Sequence, residues 1–331
     1  MGNIRLGILG PGRIVRRVMN DFHKAQGIEL TAVASRSMER ARAAAGEYGA
    51  KYAFGSYEEL AACSEVDLVY VATPHNFHCE QSILMMNHGK HVICEKPISI
   101  SREETERMAA CARENGVFLM EAMWTRCFPA AKRMKALIEA GEIGEVRHMY
   151  GLFSTSLIDP DPEGRLLNPA LAGGSLLDIG VYPLMAVTNI LGWKPERVQC
   201  LSRMAKTQVD DAMSVQLQYA SGATAQITSG LDTFAPDQLF VYGSKGCIVV
   251  DQFWHPTSFT VIMADGGEPV RYAFDAEDEG YHHEFTEAAR CIREGLRETP
   301  LVTLEESIAV SAIMENLRHE AGVYYPGETR P

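Results

Sequence analysis

This sequence predicts a two-domain α/β architecture: a doubly wound, Rossmann-type parallel sheet, then an α+β half with a large, mostly antiparallel open sheet. Three observations carry the expectation. The first third alternates short, nearly continuous apolar runs with stretches of helical periodicity, the pattern of strands covered on both faces by crossover helices. The later part strings extended runs together with Gly- and Asp-rich punctuation and few helices between, as hairpins require. At 331 residues the chain is also long for one core. The change of pattern puts the first domain at residues 1–122 and the second at 123–331.

The elements follow in order. Strand one is Ile4–Leu9, and the glycines of LGILGPGRIVRRV close it and open a helix over 13–24. A strand over 30–34 and a helix at Met38–Tyr48 come next. Ser56-x-x-Glu59 is a capping box that starts a short helix. Then come Leu68–Val71, a helix over 77–87 and a strand over 91–94. A second box, Ser101-x-x-Glu104, opens Arg102–Glu114, and a strand over 118–121 ends this part. After a helix over 130–140, extended runs lie at 146–153, 198–203, 213–219, 224–228, 239–242, 248–250 and 259–263. The tripping points ASGAT, GSKG and ADGGE separate several of them, and helices over 281–294 and 304–321 follow.

Composition narrows the function classes. Hydrophobic residues at 46% and charged residues at 22% are ordinary for a soluble globular chain rather than a disordered one. A formal net charge of −12 opposes nucleic acid and anionic membrane as partners. The eight cysteines show no C-x-x-C spacing, and scattered thiols fit a reduced, cytoplasmic protein. No basic region followed by an apolar signal core is present at the start, and no apolar run approaches the ~20 residues of a membrane span. His75 and His78 lie close together, but no further ligand accompanies them, so no metal is expected.

The glycine loop carries the first chemistry. Gly10 suits the tight turn after strand one. Gly12 lets the amides of the helix start, at Arg13 and Ile14, approach a pyrophosphate. Val15 stands where a third fingerprint glycine would be, so helix and strand pack slightly further apart. Strand two ends ASRS, with Ser35, Arg36 and Ser37 and no acid. A carboxylate there would take the ribose hydroxyls of NAD, whereas a guanidinium with hydroxyls suits the 2′-phosphate of NADP. A solvated Arg36 with Ser37 as a helix cap is the other reading of the same residues.

VICEKPISI raises a second question, because Lys96 follows a buried strand end and is held by Pro97. That end lies on the edge where parallel sheets bind ligands, as does the turn in VYVATPHNFH, shaped by Thr73 and Pro74. The glycine loop, TPHNFH, CEKP and GGSLLDIGVY, in that order, resemble the glucose–fructose oxidoreductase, inositol dehydrogenase and MocA family over nearly the whole chain. Within it, FLMEAMWTRCFP and RLLNPALAGGSLLDIGVYP look like the dimeric trans-dihydrodiol and NADP-dependent D-xylose dehydrogenases.

The resemblance implies that Lys96 contacts the reacting oxygen beside the nicotinamide, with a cis Lys96–Pro97 bond. An ammonium in a partly desolvated site also stabilises a developing alkoxide. Inositol-type relatives carry Asp-x-Gly-x-His-x-x-Asp, but here Tyr182 stands for the histidine and Met185 for the last acid. This matches the dihydrodiol and xylose types, where a tyrosine serves as acid/base. Asp178 just upstream is expected to orient Tyr182 or Lys96. His78 is expected to line the nicotinamide site, and Glu95 either neighbours the cofactor or points away. Trp124, Phe153 and Trp254 are candidate apolar walls for a substrate. Arg126 and Arg165 are candidates to bind substrate oxygens, or else to pair with acids. Together these imply an NADP-dependent dehydrogenase of a sugar, cyclic polyol or trans-dihydrodiol. The alternatives are an NAD-dependent inositol or sugar dehydrogenase and a non-catalytic NADP-binding sensor. In relatives the open sheet packs against a second subunit, so a homodimer through that sheet is expected.

Overall fold

The computed structural model describes residues 2–156, 164–275 and 279–329. The chain forms two compact units, residues 1–127 with 277–308, and residues 128–276 with 309–331. The sequence boundary at 122 is therefore slightly early, and it missed the return of 277–308 to the first unit. No local pattern announces that return.

In the first unit, β1 (Ile4–Leu9), β2 (Ile28–Ala34), β3 (Tyr52–Phe54), β4 (Leu68–Val71), β5 (His91–Glu95) and β6 (Leu119–Ala122) form one sheet. Its order is β3-β2-β1-β4-β5-β6, and every neighbour pair is parallel. The order reverses between β1 and β4, the switch point at which open α/β sheets bind ligands. Five helices connect these strands: α1 (Arg13–Asp21), α2 (Met38–Tyr48), α3 (Tyr57–Ala62), α4 (His78–Asn87) and α5 (Arg102–Glu114). Ser56 and Glu59 close the expected capping box on α3. On α5 Ser101 caps the Glu104 amide, but the Glu104 carboxylate takes the amide of Ile100.

In the second unit, α6 (Pro129–Glu139), β7 (Val146–Ser154) and α7 (Val181–Leu191) precede an antiparallel series. This comprises β8 (Arg197–Met204), β9 (Asp210–Gln218), β10 (Thr224–Gly230), β11 (Gln238–Gly243), β12 (Gly246–Asp251), β13 (Ser258–Met263) and β14 (Val270–Ala273). The sheet order is β14-β13-β12-β11-β7-β10-β9-β8. Only β7 and β10 pair in parallel; ASGAT, GSKG and ADGGE each join antiparallel neighbours. Gly151 on β7 lies against Pro183 of α7, where a Cβ would come within 2.9 Å of the proline. Strand alternation therefore puts His148 and Tyr150 on the opposite face. The helical run Pro169–Leu191 is long and apolar enough to cross a membrane by length and composition, but 83% of it is buried within the protein. It is a core helix.

Two further helices complete the chain, α8 (His282–Arg293) and α9 (Leu304–Glu320). Phe285 of α8 packs edge-on against Phe22 and Tyr70 of the first unit. Beside it Glu284 is fully buried, and neither of its carboxyl oxygens has a hydrogen-bond partner among the described residues. Burial first, then the neighbouring Glu95 and Asp21, raise its pKa well above the carboxylate range. A carboxyl raised in the fold stabilises fully below its unfolded value, ~4.3 for Glu, and that contribution is lost as pH climbs through the folded value. Glu284→Gln cannot ionise. Its melting temperature relative to wild type should therefore improve from pH 5 to pH 9, measured by thermal scans; a constant gap would mean that the fold does not raise the Glu284 carboxyl.

Candidate active site

At the β1–α1 turn, Gly10 has φ +88°, a conformation open to glycine. A Cβ there would also lie 2.7 Å from Thr73 Cγ2 and 3.2 Å from the Ala72 carbonyl. The two turns at the carboxyl edge thus touch where the sheet order reverses. Gly12 is exposed, opens α1 and leaves it without a side-chain cap. Arg13 and Ile14 follow it as the first helical residues. The amides of a helix start, beside a loop that excludes side chains, suit a pyrophosphate. Gly7 is different in kind: its Cβ would lie 2.8 Å from Leu60, so it serves packing between β1 and α3.

At the end of β2, the Ser35 hydroxyl accepts the Ser37 amide, and Ser37 caps α2 by accepting the Arg40 amide. The capping reading of Ser37 is thus correct, and the two serines are engaged locally. Arg36 is exposed. Burial raises the Tyr57 phenol, and the positive charges of Arg36 and then Arg40 act against that rise. Two guanidinium groups therefore gather at this strand end. Arg40, in the first turn of α2, carries no motif signal of its own in the sequence.

Lys96 sits half-buried at the end of β5, and its bond to Pro97 is cis. Three side chains fix the backbone around it. The Lys96 amide bonds the Glu95 carboxylate at 3.2 Å. The Pro97 carbonyl lies 2.9 Å from His78 Nδ1, and the other ring nitrogen is 2.8 Å from the Thr73 carbonyl. The Ile98 amide donates to Glu121 at 3.1 Å, and the other Glu121 oxygen takes the Ser307 hydroxyl at 2.6 Å. Burial holds His78 below the usual histidine range; the two carbonyls oppose this and the Lys96 charge adds to it. Glu121 was also missed, although a lone acid in the apolar run FLMEAM was its signal. Pro74 shapes the turn that leads into His78, and Thr73 donates to Gln81 at 2.5 Å.

Some expected roles change. Glu95 is 6% exposed, and its carboxylate accepts the Tyr70 hydroxyl, so it faces the interior rather than a cofactor. Arg126 is buried against Glu306 in a bidentate pair at 2.6 and 3.1 Å and also donates to the Leu301 carbonyl. Its guanidinium belongs to the core, and removing one partner of such a pair typically costs about 3–5 kcal/mol. Trp124 is 2% exposed and stacks on Tyr281 at 4.1 Å.

The second unit gathers the other candidates. Residues Leu176–Gly180 form a wide π-type turn that runs directly into α7, so Tyr182 falls in the first turn of α7. Such turns are frequent at functional sites. Asp178 in that turn pairs with the exposed Arg165 at 2.7 Å. The half-buried Tyr182 ring meets Phe153 edge-on at 5.3 Å, and Phe153 stacks flat on Trp254 at 5.6 Å. Asp237 holds this group together, accepting the Trp254 indole N–H at 3.1 Å and the Ser154 amide at 3.0 Å. Burial raises the Asp237 carboxyl, and those two bonds oppose it. The result is a phenol, able to give or take a proton, beside a flat apolar wall.

Comparison with known proteins agrees with this geometry. Residues 4–123 match the model of an oxidoreductase family with an NAD-binding Rossmann fold, and residues 131–249 match the GFO/IDH/MocA C-terminal domain. The chain is 34% identical to a trans-1,2-dihydrobenzene-1,2-diol dehydrogenase of Mus musculus, covering 99% of both chains. It is 34% identical to the Homo sapiens enzyme of that name, covering 91% of both. Among solved structures, a 3-ketoreductase from Actinomadura kijaniata in complex with NADP and TDP-benzene superposes with a TM-score of 0.86 at 27% identity, over 96% of this chain and 97% of that one. An aldose–aldose oxidoreductase from Caulobacter crescentus gives 0.86 at 26% identity, over 97% and 98%. With both of its units matched by family models and full-length relatives above 30% identity, this chain belongs to the GFO/IDH/MocA family of NAD(P)-binding oxidoreductases.

Proposed function

We propose that the protein is an NADP-dependent dehydrogenase of a trans-dihydrodiol or a sugar, interconverting a carbinol carbon and its oxidised form. The observation that carries this reading is the pairing of an uncapped α1 start behind Gly12 with the guanidinium groups of Arg36 and Arg40 at the end of β2. The α1 amides at Arg13 and Ile14 would hold the pyrophosphate, and Arg36 the 2′-phosphate. A bound nicotinamide supplies the hydride acceptor or donor. Lys96 stabilises negative charge on the substrate oxygen, and Tyr182 carries the proton. Phe153 and Trp254 present an apolar face to a ring substrate. Curated relatives named for a dihydrobenzenediol favour the diol; a solved neighbour named an aldose–aldose oxidoreductase keeps sugars in view. The eight cysteines are all free thiols, which fits the reducing cytoplasm proposed as its location.

Replacing Arg36 with Ala should weaken NADPH by about 1.5–3 kcal/mol, the worth of a hydrogen bond to a charged group, and leave NADH nearly unchanged. Fluorescence titration with both cofactors checks this, and a wild type that prefers NADH would refute the NADP assignment. Lys96→Met and Tyr182→Phe should each lower kcat by ~100- to 10,000-fold while NADPH titrates as in wild type. With trans-1,2-dihydrobenzene-1,2-diol and NADP, full activity in Tyr182→Phe would remove the phenol from the chemistry.

We also propose a homodimer through the open face of the second sheet. His148, Tyr150, Phe240 and Tyr242 form a contiguous aromatic row there, with ring centroids 5.8–6.2 Å apart. Ile262 and Tyr242 are each 38% exposed. Light scattering at micromolar protein should give twice the chain mass; a monomer would overturn this.

A further inference from the structure

The turn that opens the Tyr182 helix is entered through two glycines and bonded by buried side chains from other segments. Gly173 is so enclosed that a Cβ would come within 2.7–2.9 Å of the Leu166 and Arg165 carbonyls and the Asn168 amide. Gly174 has φ +131°, and its carbonyl accepts the Asp178 amide at 3.2 Å, the bond that starts the helical run. Two buried polar groups grip this turn from outside. Asp210, fully buried, accepts the Ser175 hydroxyl and the Leu176 amide through one oxygen, each at 2.7 Å. Its other oxygen faces the Gly174 Cα, where a Cβ would clash with it. Tyr325, 3% exposed, donates its hydroxyl to the Gly173 carbonyl at 2.6 Å.

Tyr325 is itself clamped. Arg318 of α9, with no exposed surface, lies over the Tyr325 ring at 4.3 Å and forms a bidentate pair with Glu328 at 2.8 and 3.0 Å. The same Glu328 carboxylate accepts the Tyr325 amide at 2.6 Å. Packing alone would be served by a phenylalanine. A buried hydroxyl is costly without a partner, and its bond here ends on the turn that carries Asp178 and leads to Tyr182.

We propose that Tyr325, held by Arg318 and Glu328 in the segment after α9, is a positioning residue for the Asp178–Tyr182 helix start. The proposal rests on the reading of Tyr182 as the proton carrier. Tyr325 does not touch the reacting groups; it acts by fixing one end of the turn while Asp210 fixes the other. Misplacements on the ångström scale cost about 100-fold when a reacting group must meet its partner in line.

Tyr325→Phe keeps the ring under the guanidinium and removes only the bond to Gly173. Hydrogen–deuterium exchange at the Leu176 and Asp178 amides should quicken at least tenfold relative to the rest of α7. With NADP and trans-1,2-dihydrobenzene-1,2-diol, kcat should fall about 10- to 100-fold. The alkaline limb of its pH profile should move, and NADPH titration should stay at wild type. Unchanged exchange at those amides overturns the proposal. So does quickened exchange with wild-type kcat and pH profile, because the bond would then be structural only. Should Tyr325→Phe fail to fold, Glu328→Gln loosens the same clamp and must show the same two changes in smaller measure. Full activity in Tyr182→Phe would instead refute the functional reading, and the exchange measurement then decides the clamp by itself.

Discussion

A parallel sheet delivers side chains to its carboxyl edge, but the backbone leaves each strand there and loses its ladder bonds. Everything proposed for Lys96 depends on that edge being held by other means. The protein does so with buried side chains: Glu121 takes the Ile98 amide, His78 sits between the Thr73 and Pro97 carbonyls with a ring N–H to donate, and Glu95 takes the Lys96 amide. Each bond replaces a ladder contact that the strand can no longer make. Because these groups lie in a dry interior, they lose more by being left unpaired than they would at a surface. The lysine is therefore stiff at its root and half-exposed along its side chain.

The second unit solves a comparable problem with different materials. Its candidate proton carrier lies on a helix that begins with a π-type turn, a local widening that regular helical bonding does not stabilise. Aromatic stacking supplies one support, with Phe153 between Tyr182 and Trp254. Asp237 then orients the indole by its N–H, so the wall is set by a hydrogen bond as well as by packing. A flat face of this kind accepts the CH side of a ring while leaving hydroxyl groups to be recognised elsewhere.

What the sequence conveyed, and what it withheld, follows from range. Strand cores, helix caps and the glycine turn depend on residues within one or two turns of one another, and these were read correctly. The short β3 and the exposed β14 were not, because three half-buried residues or four largely exposed ones leave no apolar pattern to read. Arg126 looked like a substrate ligand because its partner, Glu306, lies 180 residues further along. Glu95 looked like a cofactor neighbour because only the folded sheet puts Tyr70 beside it. Tyr182 was legible through its motif, whereas Asp237 and Asp210 sit in runs that look like ordinary strand edges. Charges that read as ligands became core wherever the chain supplied a distant counterpart.

The return of residues 277–308 to the first unit bears on how the protein is made. Residues 1–127 contain every strand of the parallel sheet, so a nascent chain could assemble that ladder early in synthesis. Yet Arg126 and Glu121 would then be enclosed without Glu306 and Ser307, and Phe22 and Tyr70 without the Phe285 ring. The parallel sheet is synthesised well before the segment 277–308 that closes it, and until that segment has left the ribosome the sheet must wait with an open, partly charged core.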